Sequence, residues 1–270
     1  MTLIARDKET LAVARKEVLS CSGKESEGDS RVGVFSVDVT DHKELASAVE
    51  RACKERGTLH WVVCNAGSSK PDFLENLPCE AFRQQVELNY LGLVHTFKAC
   101  HSFLTSKSTC GDRRKIVCIS SALGLCGMAG YSAYCPTKWA VRGFCETLRN
   151  ELQPFAVDVH VFHASSMDTP GYKEENLKKP AVTKKLEEGN VFTAEQAAGH
   201  LFEGLRRGDM HVTSEWLVEL LLVGMTGVSQ YNNLFLSLLL SPFMPLIAYA
   251  VKSDWDSTVK KFYKESQKNK

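Results

Sequence analysis

Short apolar runs alternate with amphipathic stretches along most of the chain. Residues 2–6 read as a buried strand, and residues 7–20 as a helix with Leu11, Ala14 and Val18 at helical spacing. A charged loop with glycine and serine, 21–30, leads into an apolar strand at 32–37. A helix over 41–56 opens on Thr40 or Asp41 as its N-cap. The alternation continues with strand 59–64, a long helix over 79–104, strand 115–120, helix 134–151 and strand 157–163. A polar loop then precedes a helix over 193–207, and loop 106–114 is the clearest surface insertion. Strands that are apolar throughout, each followed by a helix, predict an α/β fold with a doubly wound parallel sheet. In such a sheet, ligands sit at the carboxyl ends of the strands.

The last third has a different pattern. Residues 216–228 are apolar apart from Glu219 and small polar positions, and 234–251 carry no charge at all. Pro242 and Pro245 interrupt that stretch, and a lysine-rich tail follows (Lys252, Lys260, Lys261, Lys264, Lys268, Lys270). Eighteen uncharged residues lie at the lower edge of what crosses a bilayer, and the prolines suit a kinked or re-entrant segment better than a straight span. A buried helix pair or a dimer interface is the other reading. The expected division is a sheet domain over 1–213 and an apolar, membrane-associated segment over 214–270.

Composition narrows the function classes. A net charge of +1 and no arginine-rich run argue against a nucleic-acid partner. Ten cysteines are scattered with no C-x-x-C pair, so no metal site is expected. Cys64, Cys118 and Cys145 lie inside apolar runs, where a thiol acts as a small buried hydrophobe, which suits a reducing compartment.

One pattern carries chemistry: Ser121, then Tyr134 and Lys138. A tyrosine and a lysine four apart on a helix share a face, so the ammonium is expected to lower the phenol pKa from near ~10. Such a phenol can protonate the alkoxide formed when hydride reaches a carbonyl carbon, while Ser121 holds the carbonyl oxygen. Glycines at 124, 127 and 130 space the loop before the motif, and Pro136 sits where a first helical turn tolerates proline.

With the serine thirteen positions before the tyrosine, the arrangement resembles the short-chain dehydrogenase/reductase family, whose fold is Rossmann-like. Further marks match. Asn65-Ala66-Gly67 resembles the family turn that flanks the cofactor, and Asp38-Val39 resembles the pair that contacts adenine. Asn89 matches the fourth catalytic residue, which supports a proton relay, and Asp168-Thr169-Pro170-Gly171 the loop that closes over the nicotinamide. The resemblance also gives Lys138 and Tyr134 a place against the nicotinamide ribose. Arg6, with Lys8 nearby, stands where a basic residue selects the 2′-phosphate of NADPH.

Within that family, residues 2–6, 36–39, 89–92 and 168–171, the run Glu174-Glu175-Asn176 and the apolar C-terminal stretch look like the 3-ketodihydrosphingosine reductases. The resemblance implies NADPH-dependent reduction of a long-chain sphingoid ketone at the cytosolic face of the endoplasmic reticulum membrane. A homo-oligomer is left open. Two departures from the pattern stand out. The family's first βα unit, with its glycine turn for the pyrophosphate, is missing ahead of residue 2, and His163-Ala164-Ser165-Ser166 replaces a proline pair. A retinol- or steroid-type dehydrogenase, or a non-catalytic product without the phosphate loop, are the alternatives.

Overall fold

The computed structural model describes residues 1–21, 31–106 and 113–268. Most of loop 21–30 and of the expected insertion 106–114 lies outside the described residues.

In chain order the elements begin with β1 (Thr2–Ala5), α1 (Lys8–Ser20), β2 (Gly33–Ser36), α2 (His42–Arg56) and β3 (Trp61–Cys64). Next come α3 (Cys79–Val86), α4 (Gly92–Thr105), β4 (Arg114–Ile119), α5 (Cys135–Leu152) and β5 (Val157–His163). After β5 the segment expected to be a polar loop contains two helices, α6 (Pro170–Lys178) and α7 (Ala181–Leu186). The chain continues through α8 (Ala194–Arg207), β6 (His211–Thr213), α9 (Trp216–Met225), α10 (Leu234–Leu240) and α11 (Met244–Lys268). The helix starts follow side-chain chemistry. Asp7 caps α1, Asp41 caps α2, and Thr193 with Gln196 closes a capping box on α8.

Every strand pair is parallel. The pairs form two sheets, β1-β2 and β3-β4-β5-β6, with no hydrogen bonding between β1 and β3. The break falls where the resemblance puts the family's first strand. On β3 it leaves Trp61 44% and Val63 53% exposed, in a strand type usually covered on both faces. One apolar core nonetheless spans the break: Ile4 and Phe35 pack against the same cluster as Val62, Ile116, Val141 and Val159. Arg114 is buried where β4 begins, and its guanidinium donates to the carbonyls of Phe103, Leu104 and Ser106 at the end of α4. That satisfies acceptors a helix end would otherwise leave open.

The expected long helix is continuous but not uniform. Between α3 and α4 lies a π turn, Glu87–Leu91, and it carries Asn89. Such turns hold one residue more than an α turn and gather at functional sites.

At the far end α10, a short 3-10 link and α11 run as one helical stretch, Leu234–Lys268. Among the described residues it is long and apolar enough to cross a membrane, and only 11% of its most apolar window is buried. Phe235, Leu238, Leu246 and Tyr249 are largely exposed, so the apolar run is not a core helix. The tail beyond Val251 is helical and returns to the body, where Phe262 and Tyr263 stand 6.3 and 5.9 Å from the Phe73 ring.

Candidate active site

Ser121, Tyr134 and Lys138 come together at the carboxyl end of β4. Ser121 follows the strand in extended conformation and caps the turn Ala122–Gly124, its hydroxyl accepting from Leu123 N at 3.2 Å. The chain loops away and returns at Tyr134, the N-cap residue of α5, with Pro136 in the first turn. One turn on, Lys138 is buried, donates to the Ile119 carbonyl at 3.0 Å, and lies 5.5 Å from the centre of the Tyr134 ring.

The electrostatics correct one expectation. The Tyr134 phenol is pushed up, not down: burial dominates, the Glu175 carboxylate adds to it, and a hydrogen bond with the Ser121 hydroxyl only partly offsets them. Lys138 is lowered by burial from 10.5 to about 8. In so dry a position the ammonium is itself poorly supported, which weakens its pull on the phenol.

Asn89 is 2% exposed and bridges two elements. Its Oδ1 accepts from Ser68 N at 2.9 Å, while Nδ2 donates to Ser68 O, Gln85 Oε1 and Thr137 Oγ1. The carboxamide thus pins the turn after β3 to the first turn of α5. Gly67 threads between: a Cβ there would come 3.0 Å from Asn89 Oδ1 and 3.6 Å from Lys138 Nζ. Asn65, Ala66 and Gly67 are themselves exposed.

A second group stands at the carboxyl ends of β1 and β2. Arg6 Nη1 lies 3.5 Å from Asp38 Oδ2, with the guanidinium 68% exposed, and Ser36 Oγ donates to the Arg6 carbonyl. Asp38 accepts from Thr40 N and Thr40 Oγ1. Burial raises its pKa, but these bonds and Arg6 outweigh that and hold the carboxyl below its usual range. Val39 lies against Gly92, where a Cβ would approach to 2.8 Å. Thr169 caps α6 by accepting from Tyr172 N, and Asp168 pairs with Lys173. In the departing loop after β5, Ser165 is fixed by Ser214 and Glu215.

One further cluster has no signature in the order of residues along the chain. Tyr131, 1% exposed, sets its hydroxyl 2.5 Å from both Glu175 Oε1 and Glu187 Oε1, with one proton to donate to either, and its ring stands 5.8 Å from that of Tyr134. Lys179, fully buried, pairs with both carboxylates. The cluster fastens α6 and α7 beside the loop that leads to Tyr134. In the sequence Glu175 stands out only through the resemblance of the run Glu174-Glu175-Asn176.

The model of the short chain dehydrogenase family matches residues 1–180. The chain belongs to that family. Among relatives of this short-chain dehydrogenase, a 3-ketodihydrosphingosine reductase of Dictyostelium discoideum is 29% identical over 239 residues, covering 87% of this chain and 71% of the relative. A 3-dehydrosphinganine reductase of Danio rerio is 31% identical over 269 residues, covering 97% and 78%. In solved structures the fold is similar to a Burkholderia phymatum short chain dehydrogenase/reductase in complex with NAD (TM-score 0.67, 18% identity, 81% and 82% covered). It is also similar to a Burkholderia cenocepacia short chain dehydrogenase in complex with NADP (TM-score 0.64, 22% identity, 83% and 81% covered). These short-chain dehydrogenase folds hold a nicotinamide dinucleotide. The polar groups present here suit its two ends: an exposed guanidinium beside a carboxylate for the adenosine part, and a buried ammonium for the nicotinamide ribose.

Burial of Lys138 has a consequence for stability. Its ammonium is the disfavoured form, so between pH 8 and 10.5 the unfolded chain binds the proton more tightly than the native state. The cost that Lys138 imposes on folding is therefore full below pH 8 and fades as pH rises towards 10.5. Lys138→Met is expected to melt at a higher temperature than the parent at pH 7, with the advantage shrinking by pH 10. Thermal melts at the two pH values check this, and equal melting temperatures at both would contradict a desolvation cost.

Proposed function

We propose that the protein uses NADPH to reduce the ketone of 3-ketosphinganine to the alcohol of sphinganine, a step of sphingolipid synthesis. The observation that supports it best is the match to a relative named for this reaction over 97% of the chain, apolar C-terminal stretch included.

Arg6 is the residue for the 2′-phosphate, Asp38 and Val39 those for the adenine. Asn65, Ala66 and Gly67 would flank the dinucleotide, Lys138 and Tyr134 would hold the nicotinamide ribose, and Thr169 would stand near the nicotinamide. The dinucleotide, when bound, would supply the hydride for the carbonyl carbon. The Ser121 hydroxyl donates to the carbonyl oxygen and fixes it. Tyr134, kept protonated by burial and by Glu175, gives its proton to that oxygen as negative charge develops there. A raised pKa suits this role, since a reductase needs its acid in the protonated form. Lys138, 5.5 Å away, stabilises the tyrosinate left behind. Asn89 supports proton return by holding the Ser68 backbone against Thr137.

In this reading residues 1–213 are the catalytic unit and 214–270 attach it to the endoplasmic reticulum membrane from the cytosolic side. Exposed apolar residues on α10 and early α11, followed by lysines, support that placement.

Tyr134→Phe is expected to lower kcat by roughly 100-fold or more while NADPH affinity stays close to the parent's. Activity within about tenfold of the parent would remove Tyr134 from the acid role. Arg6→Asp is expected to shift preference from NADPH towards NADH. Unchanged cofactor ratios of kcat/KM would reject Arg6 as the phosphate contact. The tagged protein is expected to sediment with endoplasmic reticulum membranes and resist alkaline carbonate. Full recovery in the soluble fraction would overturn the membrane placement.

A further inference from the structure

The helical stretch Leu234–Lys268 is held to the body at its start, its middle and its end. Asn232, just ahead of it, exchanges hydrogen bonds with the backbone N–H and carbonyl of His211 in β6, and Asn233 caps α10 by accepting from Leu236 N. Met244 is buried against α9, where a Cβ on Gly224 would stand 3.9 Å from the Met244 Cβ. Trp255 and Val259 face Gly127, Ala129 and Leu186, and Phe262 reaches Phe73. Ser237, Met244, Trp255, Val259 and Phe262 follow one another at intervals of seven, eleven, four and three residues, each close to whole helical turns. One face of the stretch is thus turned to the body along its length.

The opposite face changes character once. Its first half carries Phe235, Leu239, Phe243, Leu246 and Tyr249, each more than half exposed, and no charge. From Lys252 onward it is polar, with Lys260, Lys261 and Lys264 exposed. Pro242 and Pro245 remove backbone donors near the middle of the uncharged run, where a crossing helix would place the break in hydrocarbon.

We infer that this stretch lies along one leaflet instead of crossing the bilayer, with its inner face on the body and its outer apolar face, residues 235–249, sunk into lipid. The inference rests on the membrane placement proposed above and gives it a geometry. A helix with both ends fastened to one polar body cannot deliver those ends to opposite sides of a membrane. Crossing would strip Met244 from α9 and pull either the Asn232 or the Phe262 contact apart. Lipid suits the outer face better than a second protein surface does. A leaflet asks only for apolar area, whereas a protein interface pairs polar groups across its contact, and this face has almost none to offer. Tyr249 and the lysines beyond it then meet the headgroups, and the C-terminus stays on the side of the sheet domain.

The test uses the full chain, bound to endoplasmic reticulum microsomes and to preformed phosphatidylcholine vesicles containing a minority of phosphatidylserine. Gly224→Cys with Met244→Cys puts two Cβ atoms within disulfide range. Oxidation of the membrane-bound protein is expected to close the pair, read as a loss of two alkylatable thiols that neither single substitution shows. An N-glycosylation acceptor added after residue 270 is expected to stay unmodified in microsomes. Leu239→Glu with Leu246→Glu, both on the outer face, is expected to weaken vesicle binding roughly tenfold or more without lowering the melting temperature. A glycosylated acceptor, or a cysteine pair that stays open on the membrane, would overturn the in-plane arrangement and leave the membrane placement standing. Unchanged vesicle binding by the glutamate variant would remove the outer face as the lipid contact. A parent chain that binds neither membrane, whether as a monomer or as a dimer that hides this face, would sink both readings.

Discussion

The first turn of α5 lies on the end of β4 with no space for a side chain between them. A Cβ on Gly124 would come 2.7 Å from Ser120 Oγ and 3.0 Å from the Lys138 carbonyl. Only that close approach lets Lys138 Nζ reach the Ile119 carbonyl and Ser120 Oγ reach the Lys138 carbonyl. Tyr134, one turn earlier, is then set beside Ser121, and Thr137 is set where Asn89 can hold it. The turn after β3, the π turn and the Ser121, Tyr134 and Lys138 side chains are thus all referenced to one helix–strand contact.

Burial at this contact has an electrostatic cost that the molecule distributes. Lys138 loses solvent and keeps one carbonyl. Tyr131, Glu175, Glu187 and Lys179 share their charges inside a small volume and fasten two helices there. Polar networks of this kind add little net stability, but each member left unpaired would be expensive, so they favour one arrangement over its neighbours. The same negative charge bears on the Tyr134 phenol, which it helps to keep protonated.

Much of this was legible in the sequence. Apolar runs with helical stretches between them announced the parallel sheet, because strands such as β5 are buried along their length and show no alternation. Ser121, Tyr134 and Lys138 were legible because a strand end and a single helical turn bring them together. Helix α6 was not, since it buries no residue and so has no apolar face to reveal a period. Strand β6 is only three residues long, too short for a pattern. The Tyr131 cluster draws on a loop, on α6 and on the residues following α6 and α7, so its members meet only once the chain is folded. Nor could spacing foresee the direction of the Tyr134 shift, which depends on burial and on Glu175 more than on the lysine four residues away.

The π turn at Glu87–Leu91 sets the phase between two parts of one helix. Before it, Ala81 and Gln85 face inward, and after it Leu93, Phe97, Cys100 and Leu104 enter the core. A helix gains about 100° of rotation per residue, so the surplus residue turns everything beyond it by roughly that angle. Asn89 sits at the adjustment. Removing a single residue here would restore regular α geometry, and would also rotate either the Asn89 carboxamide away from Ser68 or the core stripe towards solvent. This stretch should therefore tolerate many exchanges of side chain, yet hardly any change in the number of residues.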